Sequence, residues 1–126
     1  VSPTAALLTG DIKRDQEIRL LRERRESLAS DVLLVPHHGS RTSSSPAFLE
    51  AVDPRVAVFQ AGHLNRYGHP AADVLARYRE RAIVTVDSPN CGAWTWYSAS
   101  RNDNPMAGCQ RVLARRYWHW RASEAP

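Results

Sequence analysis

Three short polar clusters hold most of the residues able to do chemistry: Thr9-Gly10-Asp11, His37-His38-Gly39-Ser40, and Asn65-Arg66-Tyr67-Gly68-His69-Pro70. Asp11 follows a glycine that lets the chain turn sharply, so its carboxylate can project as a metal ligand and bridge two ions where two are present. It can equally cap a following helix by accepting free backbone N–H groups. His37 and His38 offer imidazoles of the kind that zinc and manganese take together with carboxylates. Neighbouring side chains on an extended backbone point to opposite sides, which predicts one primary ligand of the two. His69 brings a third imidazole, and Asn65, Arg66 and Tyr67 add amide, guanidinium and phenol groups able to bind substrate.

Ser40 and Thr42 begin a hydroxyl-rich run that continues through Ser43, Ser44 and Ser45 up to Pro46. A run like this before a helix suits a phosphate at the helix N-terminus, and it suits ordinary N-capping as well. His63 and His119 have no comparable company and read as surface or structural residues.

Each cluster directly follows an apolar run. Ala5 to Leu8 reads as a short buried strand, and Val32 to Val35 as a strand covered on both faces. Val56 to Phe59 and Ile83 to Val86 continue the series. Between them, Arg14 to Leu28 carries Ile18, Leu21 and Leu28 at helical spacing, Pro46 opens a helix through Phe48, Leu49 and Val52, and a third helix after Pro70 carries Val74, Leu75 and Tyr78. Beyond the turn Ser88-Pro89-Asn90, Ala93 to Tyr97 alternates like a half-buried strand. Ser100 to Gly108 reads as a loop and Arg111 to Trp120 as a final strand. This β-α-β order predicts an α/β domain whose three polar loops converge at one sheet edge.

The chain has 126 residues, 43% hydrophobic and 24% charged, enough for one domain with a real core and too few for two. No apolar run approaches the roughly 18–20 residues of a transmembrane helix, and no secretory leader is visible. A net charge of +4 rests almost wholly on arginine, since Lys13 is the only lysine. Guanidinium forks suit phosphate, although an arginine-rich solvated surface gives the same composition. Two cysteines, Cys91 and Cys109, are too few for a disulfide scaffold and match no zinc pattern.

Leu7-Leu8-Thr9-Gly10-Asp11, the run Asp31 to Ser40 with Thr42-Ser43-Ser44, and Asn65 to Pro70 together resemble the C-terminal metallo-β-lactamase-like domain of ComEC, the DNA-internalisation protein of natural competence. The likeness covers residues 5 to 87, and the closing third, with Gly92-Ala93-Trp94-Thr95-Trp96 and Arg116-Tyr117-Trp118, is similar to that of proteobacterial members. The resemblance implies a metallo-β-lactamase-like fold, a mixed sheet with packed helices. It also implies a nuclease that degrades the non-imported strand, with two zinc or manganese ions, DNA as substrate, and the rest of a membrane channel protein as partner.

Asp11 would bridge the metals, the His37/His38 pair would supply a ligand, and His69 would contact phosphate or assist proton transfer. The superfamily's first metal motif, His-x-His-x-Asp-His, is not in these residues. The chain is thus expected to be the second half of an αββα sandwich, truncated or degenerate, with its abrupt start favouring truncation. A soluble domain on the periplasmic side of the bacterial inner membrane is the implied location, and there Cys91 and Cys109 could pair across a hairpin. A competing expectation is a noncatalytic DNA-binding or channel-docking module. It would use Arg22, Arg24 and Arg25, Arg77, Arg79 and Arg81, and the tail from Arg111 to Arg121 with Tyr117, Trp118 and Trp120.

Overall fold

The computed structural model describes residues 4–98 and 104–119. Four short strands, β1 (Ala6–Leu8), β2 (Val32–Leu34), β3 (Val56–Phe59) and β4 (Val84–Asp87), form one sheet in the order β1-β2-β3-β4. Every pairing is parallel, with Leu7 opposite Leu33 and Leu33 opposite Ala57. The expected mixed sheet is therefore a parallel one. Helices α1 (Arg14–Arg24), α2 (Pro46–Val52) and α3 (Ala72–Glu80) connect successive strands.

Parallel crossovers keep one hand, so a sheet whose order follows the sequence carries all its connecting helices on the same face. The core bears this out. Leu33, Ala57 and Phe59 from the sheet form a single buried cluster with Phe48, Leu49 and Val52 of α2 and Val74 and Tyr78 of α3, while Leu20 and Leu21 of α1 pack against it. Each fully buried large side chain contributes roughly 1.5–3 kcal/mol.

The other face is covered only in part. Leu8, Leu34, Val58 and Val86 lie in register across it. Val86 is buried beneath Cys91, Cys109 and Trp94, whereas Leu8 is 75% exposed. β1 is thus an exposed edge strand rather than the buried one its apolar run suggests, because only Leu7 turns toward the helices. The first helix also ends earlier than its periodicity implies. Arg25–Ser27 is a 3-10 turn, Ile18 is half exposed, and Leu28 reaches the core from beyond the helix.

The closing third departs most from expectation. After the one-turn helix α4 (Ser88–Cys91), the segment Ala93–Tyr97 makes only an isolated antiparallel bridge, Trp94 with Cys109. The residues from Arg111 begin inside another one-turn helix, α5 (Gln110–Leu113), and continue as turns to His119. A disulfide joins Cys91 and Cys109, both fully buried, and the Trp94 indole donates to the Pro105 carbonyl at 2.8 Å. That cross-link replaces the expected strand pair as the tie at this corner. Part of the Ser100–Gly108 loop, along with Trp120 and Arg121, lies outside the described residues.

Candidate functional site

The three polar clusters leave the carboxyl ends of β1, β2 and β3 and are laced to one another by backbone hydrogen bonds. His37 N–H donates to the Gly10 carbonyl at 3.0 Å, and Ala71 N–H donates to the Gly39 carbonyl at 3.0 Å. The Thr9 hydroxyl donates to the Leu34 carbonyl at 2.7 Å. Gly39 makes the closest approach. A Cβ at this position would stand 2.7 Å from the Pro70 Cβ and 2.9 Å from the Phe59 ring, and its φ is +79°. Only glycine lets the second loop press against the third here.

His37 and His38 depart from the extended backbone expected of them. Both occupy the left-handed region, with φ of 50° and 56°. Two consecutive non-glycine residues there cost on the order of 1–3 kcal/mol each, and backbone of this kind concentrates at functional sites. The turn still separates the two rings. His38 Nδ1–H donates to the Gln60 carbonyl at 2.6 Å, which leaves Nε2 3.4 Å from Asp11 Oδ1. A carbonyl that fixes one ring nitrogen as donor aims the other as an acceptor, the arrangement found behind metal-bound histidines. Both side chains stay open to solvent, at 50% and 71% exposure. His37 turns the other way. Its Nδ1 lies 3.2 Å from the Thr42 hydroxyl, and its ring is 6.2 Å from that of His69. Burial holds the His69 pKa below the ordinary imidazole value, and the neighbouring charges of His37 and His38 lower it further.

The hydroxyl run is mostly structural. Ser40, Ser43 and Ser44 are buried, Ser40 Oγ is 3.1 Å from the Thr42 hydroxyl, and Ser43 Oγ donates to the Pro36 and Ser40 carbonyls. Ser45 caps α2 through Phe48 N–H at 3.4 Å. The amides ahead of α2, where phosphate was one expectation, already have a partner. Glu17, fully buried, accepts from Ser44 N at 2.5 Å and Ser45 N at 2.9 Å. Nothing in the sequence singles out this carboxylate, because Glu17 stands among other charged residues, Arg14, Asp15 and Arg19, and its burial depends on a loop 27 residues away. Arg77, counted among the arginines open to DNA, instead donates to the Ser43 and Ser44 carbonyls and to Asp73.

In the third loop, Asn65 spends its amide on the loop itself rather than on substrate. Its Oδ1 accepts from His69 N at 3.0 Å, and its Nδ2 donates to the His69 and Gly62 carbonyls. Tyr67 and Arg66 remain outside, with Tyr67 stacked on His69 at 5.8 Å and the Arg66 guanidinium 4.9 Å from the Tyr67 ring centre. Among the described residues no group of three or more His, Cys, Asp or Glu side chains is arranged to hold a metal ion. Asp11 and His38 offer two donors, part of a metal's shell.

Fold and loops define an α/β domain that gathers three imidazoles and one carboxylate beyond the carboxyl ends of its parallel strands. No family model matches the chain, and no solved structure matches it significantly. Known proteins do. The chain is 42% identical over 89 residues to Competence protein ComA of Neisseria gonorrhoeae, covering 71% of this chain and 13% of that protein. It is 35% identical over 86 residues to ComE operon protein 3 of Bacillus subtilis, covering 68% and 11%. An uncharacterized Escherichia coli protein, YcaI, is 32% identical over 114 residues, covering 90% and 15%. The chain belongs to the ComEC family of competence proteins, of which it matches one small segment. Among the described residues no helix is long and apolar enough to cross a membrane.

Proposed function

We propose that the chain is the C-terminal part of a metallo-β-lactamase-like domain that hydrolyses phosphodiesters with metal ions, and that the whole protein uses it to degrade the non-imported DNA strand during natural transformation. The observation carrying this reading is the aim of His38, held at Nδ1 by the Gln60 carbonyl with Nε2 3.4 Å from the Asp11 carboxylate. Asp11 and His38 would hold zinc or manganese, and the remaining donors would come from the preceding half of an αββα sandwich, set against the sheet face on which Leu8 stands exposed. When bound, two such ions activate water and neutralise charge on the phosphodiester. His69, whose surroundings favour the neutral ring, would accept a proton, and the exposed Arg66 beside it would pair with a phosphate oxygen. The competence proteins among the relatives support a part in DNA uptake. The disulfide supports an oxidising location, the periplasmic side of the inner membrane.

In the full-length protein, Asp11→Ala and His38→Ala should each abolish strand degradation, a loss of several kcal/mol of transition-state stabilisation. Degradation at the parent rate by folded Asp11→Ala protein overturns the reading. A noncatalytic DNA-binding or docking role would then lead. It is favoured by Tyr117 at 95% and Trp118 at 61% exposure, with the Arg116 guanidinium 5.5 Å from the Trp118 ring centre.

A further inference from the structure

The third loop turns the Asn65 amide inward and leaves Leu64, Arg66 and Tyr67 outward. Asn65 locks His69 at both backbone N–H and C=O, and Gly68 N–H donates to the Asn65 carbonyl at 3.1 Å, so the loop is fixed from within. Leu64, at 89%, and Tyr67, at 66%, nevertheless face solvent. The Arg66 guanidinium donates to the Tyr67 hydroxyl at 2.7 Å, with its central carbon 4.9 Å from the ring centre. A rigid loop that exposes an aromatic ring, backed by a second ring and edged by a guanidinium, has the composition of a surface on which nucleobases stack.

We propose that Tyr67, stacked on His69 and edged by Arg66, is the platform for an unpaired base of single-stranded DNA, with Arg66 on the neighbouring phosphate. This rests on the reading of the adjacent loops as a phosphodiesterase site, and it adds the form of the substrate. A base inside a duplex has both π-faces covered by its neighbours, so a stacking platform selects strands whose bases are free. The rings of Tyr67, His69 and His37 follow one another at 5.8 Å and 6.2 Å, placing the base one ring beyond the imidazoles. The loop is held in this shape before any ligand arrives, so little ordering cost falls on binding.

The test is fluorescence anisotropy of this chain with a labelled oligothymidylate, the same oligonucleotide made abasic, and a duplex, at low salt and with chelator present. Tyr67→Ala should weaken oligothymidylate binding by about 5- to 150-fold, the range for one stacked base, and leave the abasic strand unaffected. Tyr67→Trp should keep the affinity and report binding by quenching. Arg66→Ala should weaken both single strands and flatten the salt dependence. The proposal is overturned if the chain fails to bind oligothymidylate, prefers duplex, or binds as the parent does when folded and carrying Tyr67→Ala. It is overturned equally if that substitution weakens the abasic strand as much as the intact one. Binding without metal does not depend on hydrolysis, so loss of the platform and loss of the nuclease reading are separate outcomes.

Discussion

Gly39→Ala tests whether the second and third loops are locked together by contact. Two costs apply to the substitution. The first is the left-handed backbone, which disfavours a Cβ by about 1–2 kcal/mol and is partly offset because alanine restricts the unfolded chain. The second is overlap, because the new Cβ would meet the Pro70 Cβ at 2.7 Å and the Phe59 ring at 2.9 and 3.0 Å. Phe59 is fully buried and Pro70 is a ring, so neither can swing aside and the backbone must shift, at about 1–3 kcal/mol. Gly10 supplies the control. It has φ of +58° with nothing within 4 Å of the position its Cβ would take, so Gly10→Ala carries the first cost alone. Urea unfolding should show Gly10→Ala destabilised by about 1 kcal/mol and Gly39→Ala by about 2–4 kcal/mol. Proton–carbon spectra should show the His37, His38 and His69 rings shifted only in Gly39→Ala. Equal loss of stability in the two variants, or unmoved histidine signals in Gly39→Ala, refutes the lock.

Reducing the Cys91–Cys109 bond should lower stability by about 3 kcal/mol, read from urea midpoints with and without reductant, and intact mass should show no free thiols in unreduced protein. Glu17→Ala leaves the Ser44 and Ser45 amides without their acceptor and should cost about 2–5 kcal/mol by thermal unfolding, with Glu17→Gln retaining part of that stability. In a pH titration followed by magnetic resonance, His69 should titrate below an ordinary histidine, and His37→Ala should raise its pKa only in part, since burial is the larger cause. The unfolded chain takes up this proton first as pH falls. The His69 contribution should therefore weaken stability as pH drops through and below the ordinary imidazole range.

The strands were legible in the sequence because Val32–Val35, Val56–Phe59 and Ile83–Val86 are apolar runs separated by helical patterns, whereas the sheet expected to be mixed has only parallel pairings among the described strands. The last third was not. Trp94 and Trp96 alternate as in a strand, but Trp94 sits against Cys109 and donates to Pro105, so one cross-link and one indole set the local path. Period-2 alternation over a few residues carries no record of such ties. Convergence of the three loops followed from each cluster's place after a strand. Which histidine faces Asp11 did not, because the deciding group is the Gln60 backbone carbonyl, which any residue at that position would provide. Asn65 looked like a substrate ligand from its type alone, and its amide closes the loop instead.

The order β1-β2-β3-β4 also bears on how the domain comes into being. Each strand pairs with the one before it in the chain, across a single helix, so every strand's first partner has been synthesised before it. Among the described strands the pairings therefore stay between sequence neighbours, which keeps the loops to be closed short. The Cys91–Cys109 bond joins only residues that follow β4, so it ties the corner beyond that strand and links no two strands of the sheet to each other.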